Sequence, residues 1–317
     1  MGDIPYPLYP VFALLGFILV LIPLPWHVRS WNSGTCWYML WTGLGCAVHF
    51  VNSVLWHGSV SNMAPVWCDI STRIDVAASF GIPAASLCIQ RRLYQIVYTK
   101  SVSTDASMRR RSVTIDSIIC LVLPMVYVGL YYVVEARRFD IFEDIGCLPV
   151  FYNSIPTIFL IYIWPLLLAL ISVVYCALSL KALIKRQIEL GTLFSSDTIL
   201  SRNRYYRFMA LSCTELAFSS AIALYVIYVN ACTVSLEPWV SWRDTHYNIS
   251  RVEHIPSIIW RENIHTVVSV EMDRWVFVGC ALAFFLFFGL SEEAMLNYSK
   301  IVERVMHGLL PSMLTVR

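Results

Sequence analysis

Seven runs of mostly apolar residues constrain this chain more than any other feature. They lie at roughly 6–25, 36–57, 66–95, 113–135, 155–183, 206–233 and 266–290. A helix rises about 1.5 Å per residue, so about 20 apolar residues cross a hydrocarbon core about 30 Å thick. Each run therefore predicts one spanning helix. The 317-residue chain is 58% hydrophobic and only 14% charged, against about 25% charged in an average soluble domain. The expected fold class is an all-α integral membrane protein, a seven-transmembrane-helix bundle. No Lys or Arg precedes the first run, and Pro23, Pro25 and Arg29 after it do not form a small-residue cleavage site. It is read as an uncleaved first helix.

Cations at helix ends stay on the cytoplasmic side. The loops following runs one, three, five and seven hold 16 Lys and Arg, whereas the opposite loops hold five: Arg137, Arg138, Arg243, Arg251 and Arg261. That asymmetry places the amino terminus outside and the carboxyl terminus in the cytoplasm. Residues 1–290 are read as one transmembrane domain and 291–317 as a short cytoplasmic tail with a surface helix over Ser291 to His307. Two connections are long, 184–205 inside and 234–265 outside. The outer one carries Trp239, Trp242 and Trp260 and is expected to fold over the mouth or lie at the interface.

Several function classes fall away. A net charge of +2 lacks the cationic excess of nucleic-acid binders. No CxxC pair, Cys/His cluster or HExxH string has metal-site spacing, and helix seven has no Lys for a retinal Schiff base. No catalytic residue, cofactor or metal is indicated, although the outer His57, His246, His254 and His265 leave incidental metal binding open.

Ionisable groups within the bilayer are costly, and they mark candidate sites. On helix two, His49, Asn52 and Trp56 share one face; on helix three, Asp69 and Arg73 are four residues apart. These faces can meet as the polar wall of an outward pocket, or Asp69 and Arg73 can simply satisfy each other. Asp75 falls elsewhere and is read as structural. Glu271, Asp273 and Arg274 mark the outer part of helix seven, either as a solvated rim or as ligand contacts. Glu215 lies in the inner half of helix six and suits coupling or packing. Pro83, Pro124 and Pro165 sit mid-helix, where a missing backbone N–H bends the axis and opens space. Phe80, Tyr127, Tyr131, Tyr162 and Trp164 are the aromatics placed to line such a space, though many membrane aromatics face core or lipid.

Cys68, Cys147 and Cys232 map to the oxidising side. A Cys68–Cys147 bridge would pin the second outer loop across the pocket, with Cys232 as a competing partner. Asn248 opens an outer Asn-Ile-Ser glycosylation sequon, while the Asn297 sequon falls inside.

Specific strings narrow the field. LIPLPWHVRSWN at 21–32, WCDIST at 67–72, GIPAASLCIQRRLY at 81–94, RFDIFEDIGC at 138–147 and RYYRFMAL at 204–211 span helices one to six. The chain resembles fungal mating-pheromone receptors for a-factor-type lipopeptides, class D G-protein-coupled receptors, and most closely their basidiomycete members. The resemblance implies a farnesylated peptide pheromone as ligand, a heterotrimeric G protein as partner and a multi-pass plasma-membrane location. The candidate ligand contacts are the polar and aromatic groups read above from their positions: His49, Asn52, Trp56, Asp69, Arg73, Phe80, Tyr162, Glu271, Asp273 and Arg274. Coupling falls to the basic inner face: Arg91 and Arg92 ending helix three, with Arg109, Arg110, Lys185, Arg186 and Arg204. That face also attracts anionic membrane lipids. Family members carry a long polar tail, so a chain ending at Arg317 is either truncated or short-tailed. The rival reading is a seven-helix transporter or lipid enzyme working through His49, Asp69, Arg73 and Glu215.

Overall fold

The computed structural model describes residues 6–99, 106–189, 196–233, 235–290, 294–296, 298 and 299. Six helices in it are long and apolar enough to cross a membrane: α1 (Leu8–Arg29), α2 (Ser33–Leu55), α3 (Pro65–Tyr98), α4 (Ala106–Val134), α5 (Ile155–Lys185) and α7 (Ile264–Gly289). The seventh, α6 (Ser196–Tyr228), packs against α3, α5 and α7. The stretch 184–205, expected to be an inner connection, is largely helical: α5 winds on to Glu189 and α6 begins at Ser196. Most of the expected tail, 291–317, and Asn297 lie outside the described residues.

α3 runs through the centre of the bundle. Its small residues Ala77, Ala78 and Ala85 let Val20 of α1, Trp41 of α2 and Phe277 and Phe284 of α7 close into one apolar core. Gly81 is part of this fit, because a Cβ there would meet the Trp41 indole at 2.6 Å.

Two of the mid-helix prolines act in a shared way. Pro124 and Pro165 each follow a π-helical turn, Ile118–Val122 and Ile158–Tyr162. Proline has no N–H to give the carbonyl four residues earlier, and its ring crowds that carbonyl. In both helices a neighbour's side chain supplies the donor. Trp41 Nε1 donates to the Cys120 carbonyl at 2.8 Å, and the Tyr127 hydroxyl donates to the Ile161 carbonyl at 3.1 Å. The first bond ties α2 to α4, and the second ties α4 to α5.

The bundle is helical, but the loops at one end of it build a sheet that helical periodicity did not reveal. Strands β1 (Glu135–Phe142) and β2 (Gly146–Phe151) form an antiparallel hairpin between α4 and α5. β3 (Val252–Ile255), from the α6–α7 loop, pairs parallel to β1, giving the order β2-β1-β3. The long α6–α7 connection thus lies over that end of the bundle. Trp260 is buried, with its indole N–H on the Glu143 carbonyl at 3.3 Å, while Trp242 is exposed and stacked on His246.

Candidate functional site: a lidded cavity among α3, α5, α6 and α7

A cavity of about 320 Å³ lies beneath the hairpin, between α3, α5, α6 and α7. Helical spacing builds its walls. Asp75, Ser79 and Ile82 recur along one face of α3, and Ser269, Asp273, Val276 and Cys280 along one face of α7. Tyr162 and Pro165 of α5 and Asn230 beyond α6 contribute from the far side, and Leu148, Pro149 and Phe151 of β2 form the roof. The lining is largely apolar, with two carboxylates.

Those carboxylates belong to a cluster from three helices. His49 Nε2 of α2 lies 3.2 Å from Asp75 Oδ1, and both residues are buried. Asp273 of α7 completes the group, one donor atom from each of the three falling within 4.8 Å of the others. His49 is held from behind by the Phe277 ring, 5.0 Å away between centroids. Phe277 in turn occupies the space left by Gly45, where a Cβ would meet its ring at 2.2 Å.

The lid is fastened at many points. Cys68 at the start of α3 and Cys147 of β2 form a disulfide with Cα atoms 5.4 Å apart, enclosed by Trp56, Phe139 and Ile141. Asn52 Nδ2 donates to the Cys147 carbonyl at 3.4 Å while Asn52 Oδ1 accepts from Trp67 Nε1 at 2.7 Å. Gly146 closes the hairpin at φ +105°, with its Cα side against Asn52 so that any Cβ would collide at 2.5 Å. Only glycine meets both demands. The hairpin turn is held as well, since Asp144 Oδ1 accepts from His57 Nδ1 at 3.1 Å and from the Gly58 amide at 3.0 Å.

Asp69 and Arg73 do not satisfy each other. Asp69 is clamped by Arg138 of β1, and Arg73 by Glu135 at 2.6 Å and 2.9 Å while lying over the Tyr131 ring. Both serve to seat the lid. Burial pushes the Glu135 carboxyl above the usual carboxylate range, against the pull of Arg73. Asp140 is raised for the same first reason, opposed by Arg137.

Of the ten residues marked for ligand contact, Tyr162 and Asp273 border the cavity. His49 stands behind Asp75. Asn52, Trp56, Asp69 and Arg73 hold the lid and its anchor, and Phe80 packs on Tyr127 at 5.0 Å. Glu271 and Arg274 bond to each other, and Arg274 lies 4.4 Å over the Tyr9 ring of α1, away from the cavity. Asp75, read as structural, lines the cavity, as does the β2 roof. The signal for Asp75 was present in Ser79 and Ile82 at i+4 and i+7; the roof had none, because it depends on how the hairpin folds back.

At the end of the bundle opposite the sheet, Arg91 Nη2 donates to Asp116 Oδ1 of α4 at 2.7 Å, and Asp116 also accepts from the Ser33 hydroxyl of α2. Arg92 donates to the Trp31 and Ser30 carbonyls in the α1–α2 turn. Arg109, Arg110 and Lys185 are exposed at this end. The side chains of Arg186, Arg204 and Glu215 lie outside the described residues. Outside the bundle, Asn248 is exposed in a turn with φ +58°.

The Pheromone A receptor family matches residues 8–306. The chain belongs to that family. It is 43% identical over 299 residues to the Pheromone B alpha 3 receptor of Schizophyllum commune, covering 94% of this chain and 48% of that protein. Pheromone receptor 1 of Mycosarcoma maydis is 31% identical over 304 residues, covering 94% and 84%. The Pheromone a factor receptor of Saccharomyces cerevisiae is 24% identical over 310 residues. The chain spans about half the length of the Schizophyllum relatives it matches. Family membership and the helix set together make this a multi-pass protein of the plasma membrane.

Proposed function

We propose that this chain is the transmembrane part of a mating-pheromone receptor that binds a farnesylated peptide and activates a heterotrimeric G protein. The observation that carries the reading is the lidded, largely apolar cavity with two carboxylates, in a chain whose relatives are named as pheromone receptors. Its volume lies at the low end of the roughly 300–1,000 Å³ of small-molecule sites. That size suits one end of a lipopeptide and not a whole peptide. Tyr162, Asp75 and Asp273 are the proposed contacts within it, and no step of catalysis is assigned.

The proposed orientation has the sheet and cavity mouth outside and the basic end in the cytoplasm, in line with the 16-to-5 cation asymmetry. The G protein would then meet the face bearing Arg109, Arg110 and Lys185, together with Arg186 and Arg204. Release of Arg91 and Arg92 from Asp116 and the α1–α2 turn would be part of the conformational change. Ligand shifts such an equilibrium only by its differential affinity for the two states.

The test is nucleotide exchange on a competent G protein, in membranes containing this chain, with a panel of farnesylated fungal pheromones and their unprenylated counterparts. Exchange driven by a prenylated peptide supports the reading. Silence across the panel from correctly inserted protein overturns it. A glycan on Asn248 that is lost in Asn248→Gln checks the orientation.

A further inference from the structure

We propose that His49, Asp75 and Asp273 form a binding site for one divalent transition-metal ion, zinc by donor chemistry, joining α2, α3 and α7 at the cavity wall. The three donors come from three helices and are far apart in sequence, yet one atom from each lies within 4.8 Å of the others. A zinc ion takes imidazole nitrogen and carboxylate oxygen at about 2.0–2.2 Å and keeps an open position when protein supplies three donors. The 3.2 Å separation of His49 Nε2 and Asp75 Oδ1 is already that of neighbouring donors around one such ion. A small side-chain movement of Asp273 brings in the third, and the cavity side leaves the fourth position open.

Charge supplies the second argument. Two carboxylates share this interior wall with a single imidazole, and among the described residues Asp273 has no hydrogen-bond or ion-pair partner. The adjacent Arg274 does not help, because its guanidinium is bonded to Glu271 and lies against Tyr9 on another face of α7. Asp75 has His49 beside it, but Asp273 is a half-buried carboxylate without such a partner among the described residues, next to a second carboxylate. Such a group is costly unless a cation or a proton joins it. The imidazole decides the kind of cation. Calcium and magnesium take oxygen donors in sets of six or more, whereas a mixed nitrogen and oxygen set suits zinc and its neighbours. Binding requires the ligating nitrogen of His49 to be unprotonated, so it competes with any proton held between His49 and Asp75.

The experiment uses the full chain, purified in detergent or lipid discs and washed with chelator. Zinc or magnesium chloride is then added, and bound metal per chain and thermal unfolding are measured. Wild type is expected to retain one zinc and to unfold at higher temperature with zinc but not with magnesium. Asp273→Asn is expected to lose both effects, with His49→Gln as the second variant. His246→Ala and His254→Ala, on the outer surface, are expected to keep them. Cobalt(II) added to wild type alone should give the strong visible absorption of a four-coordinate ion, a readout that requires no variant. Equal zinc stabilisation in wild type and Asp273→Asn would place the metal on surface histidines and overturn the proposal. So would absence of bound zinc or of the cobalt band in wild type.

Discussion

Arg138 of β1 grips the Asp69 carboxylate of α3 in two parallel bonds, Nε to Oδ1 at 2.8 Å and Nη2 to Oδ2 at 2.6 Å. The pair stands one residue from Cys68 on one side, and its partner strand carries Cys147, so covalent and ionic ties act on the same lid. Both groups are more than a third exposed, at 39% and 38%. Solvent screening limits such a pair to about 0–1 kcal/mol of stability. Asp69→Asn should therefore change the unfolding temperature by only a few degrees. If the lid positions the ligand, the same variant should weaken pheromone-driven nucleotide exchange by about fivefold, the equivalent of about 1 kcal/mol. The charge-swapped pair Asp69→Arg with Arg138→Asp should recover part of that loss; a double variant worse than either single one would count against the clamp.

The bond from Trp41 to the Cys120 carbonyl exists because Pro124 offers that carbonyl no N–H. Trp41→Phe should cost about 1–3 kcal/mol, as expected when a buried acceptor loses its donor. In a Pro124→Ala background, residue 124 again has an N–H to give, and the same change should cost less. A double-mutant cycle by thermal unfolding measures the difference. Equal costs in both backgrounds would mean that Trp41 acts through packing alone.

Gly45 is the residue that lets Phe277 reach His49. A methyl group at 45 would meet the ring at 2.2 Å, so Gly45→Ala must push Phe277 toward the cavity that it lines. Overpacking of this kind costs about 1–3 kcal/mol. The expected outcome is loss of pheromone response together with reduced stability, and recovery of both when Phe277→Leu is added. Failure of the smaller side chain to rescue would show that Gly45 matters for some other contact.

Glu135 predicts a pH dependence. Burial is the main reason its carboxyl is raised, and the bond from Arg73 opposes that effect. A carboxyl that holds its proton more tightly in the folded state lowers stability as pH rises from the unfolded value, about 4.3, through the folded one, and adds nothing further above it. Glu135→Gln should therefore flatten part of the decline in unfolding temperature over that window. Asp140, raised in the same direction, retains the rest. Thermal unfolding from about pH 4 to pH 8 compares the two proteins, and an unchanged slope would remove Glu135 from the account.

The helices and much of their anchoring were legible residue by residue. Seven apolar runs, three mid-helix prolines and the cysteines at 68 and 147 all stand in the sequence, because helix formation and membrane crossing depend on local composition and length. Asp273 and Tyr162 were visible as polar groups on apolar helices. The i+4 and i+7 spacing of Ser79 and Ile82 could place Asp75 on the cavity face, but its meeting with His49, 26 residues earlier, and Asp273, 198 residues later, follows no local pattern.

The sequence by itself determined the bundle, its family and the sidedness that its cations favour, since each rests on the chemistry of short segments. Only the tertiary structure decided that Asp69 and Arg73 face the hairpin and not each other, and that β2 roofs the cavity. It also decided that two buried ionisable groups, His49 and Asp75, meet the half-buried Asp273 behind that roof. The physical reason is one of reach. Hydrophobic length acts within one helix, whereas ion pairs, strand register and metal-like donor clusters are set by which faces of distant segments the fold turns toward one another.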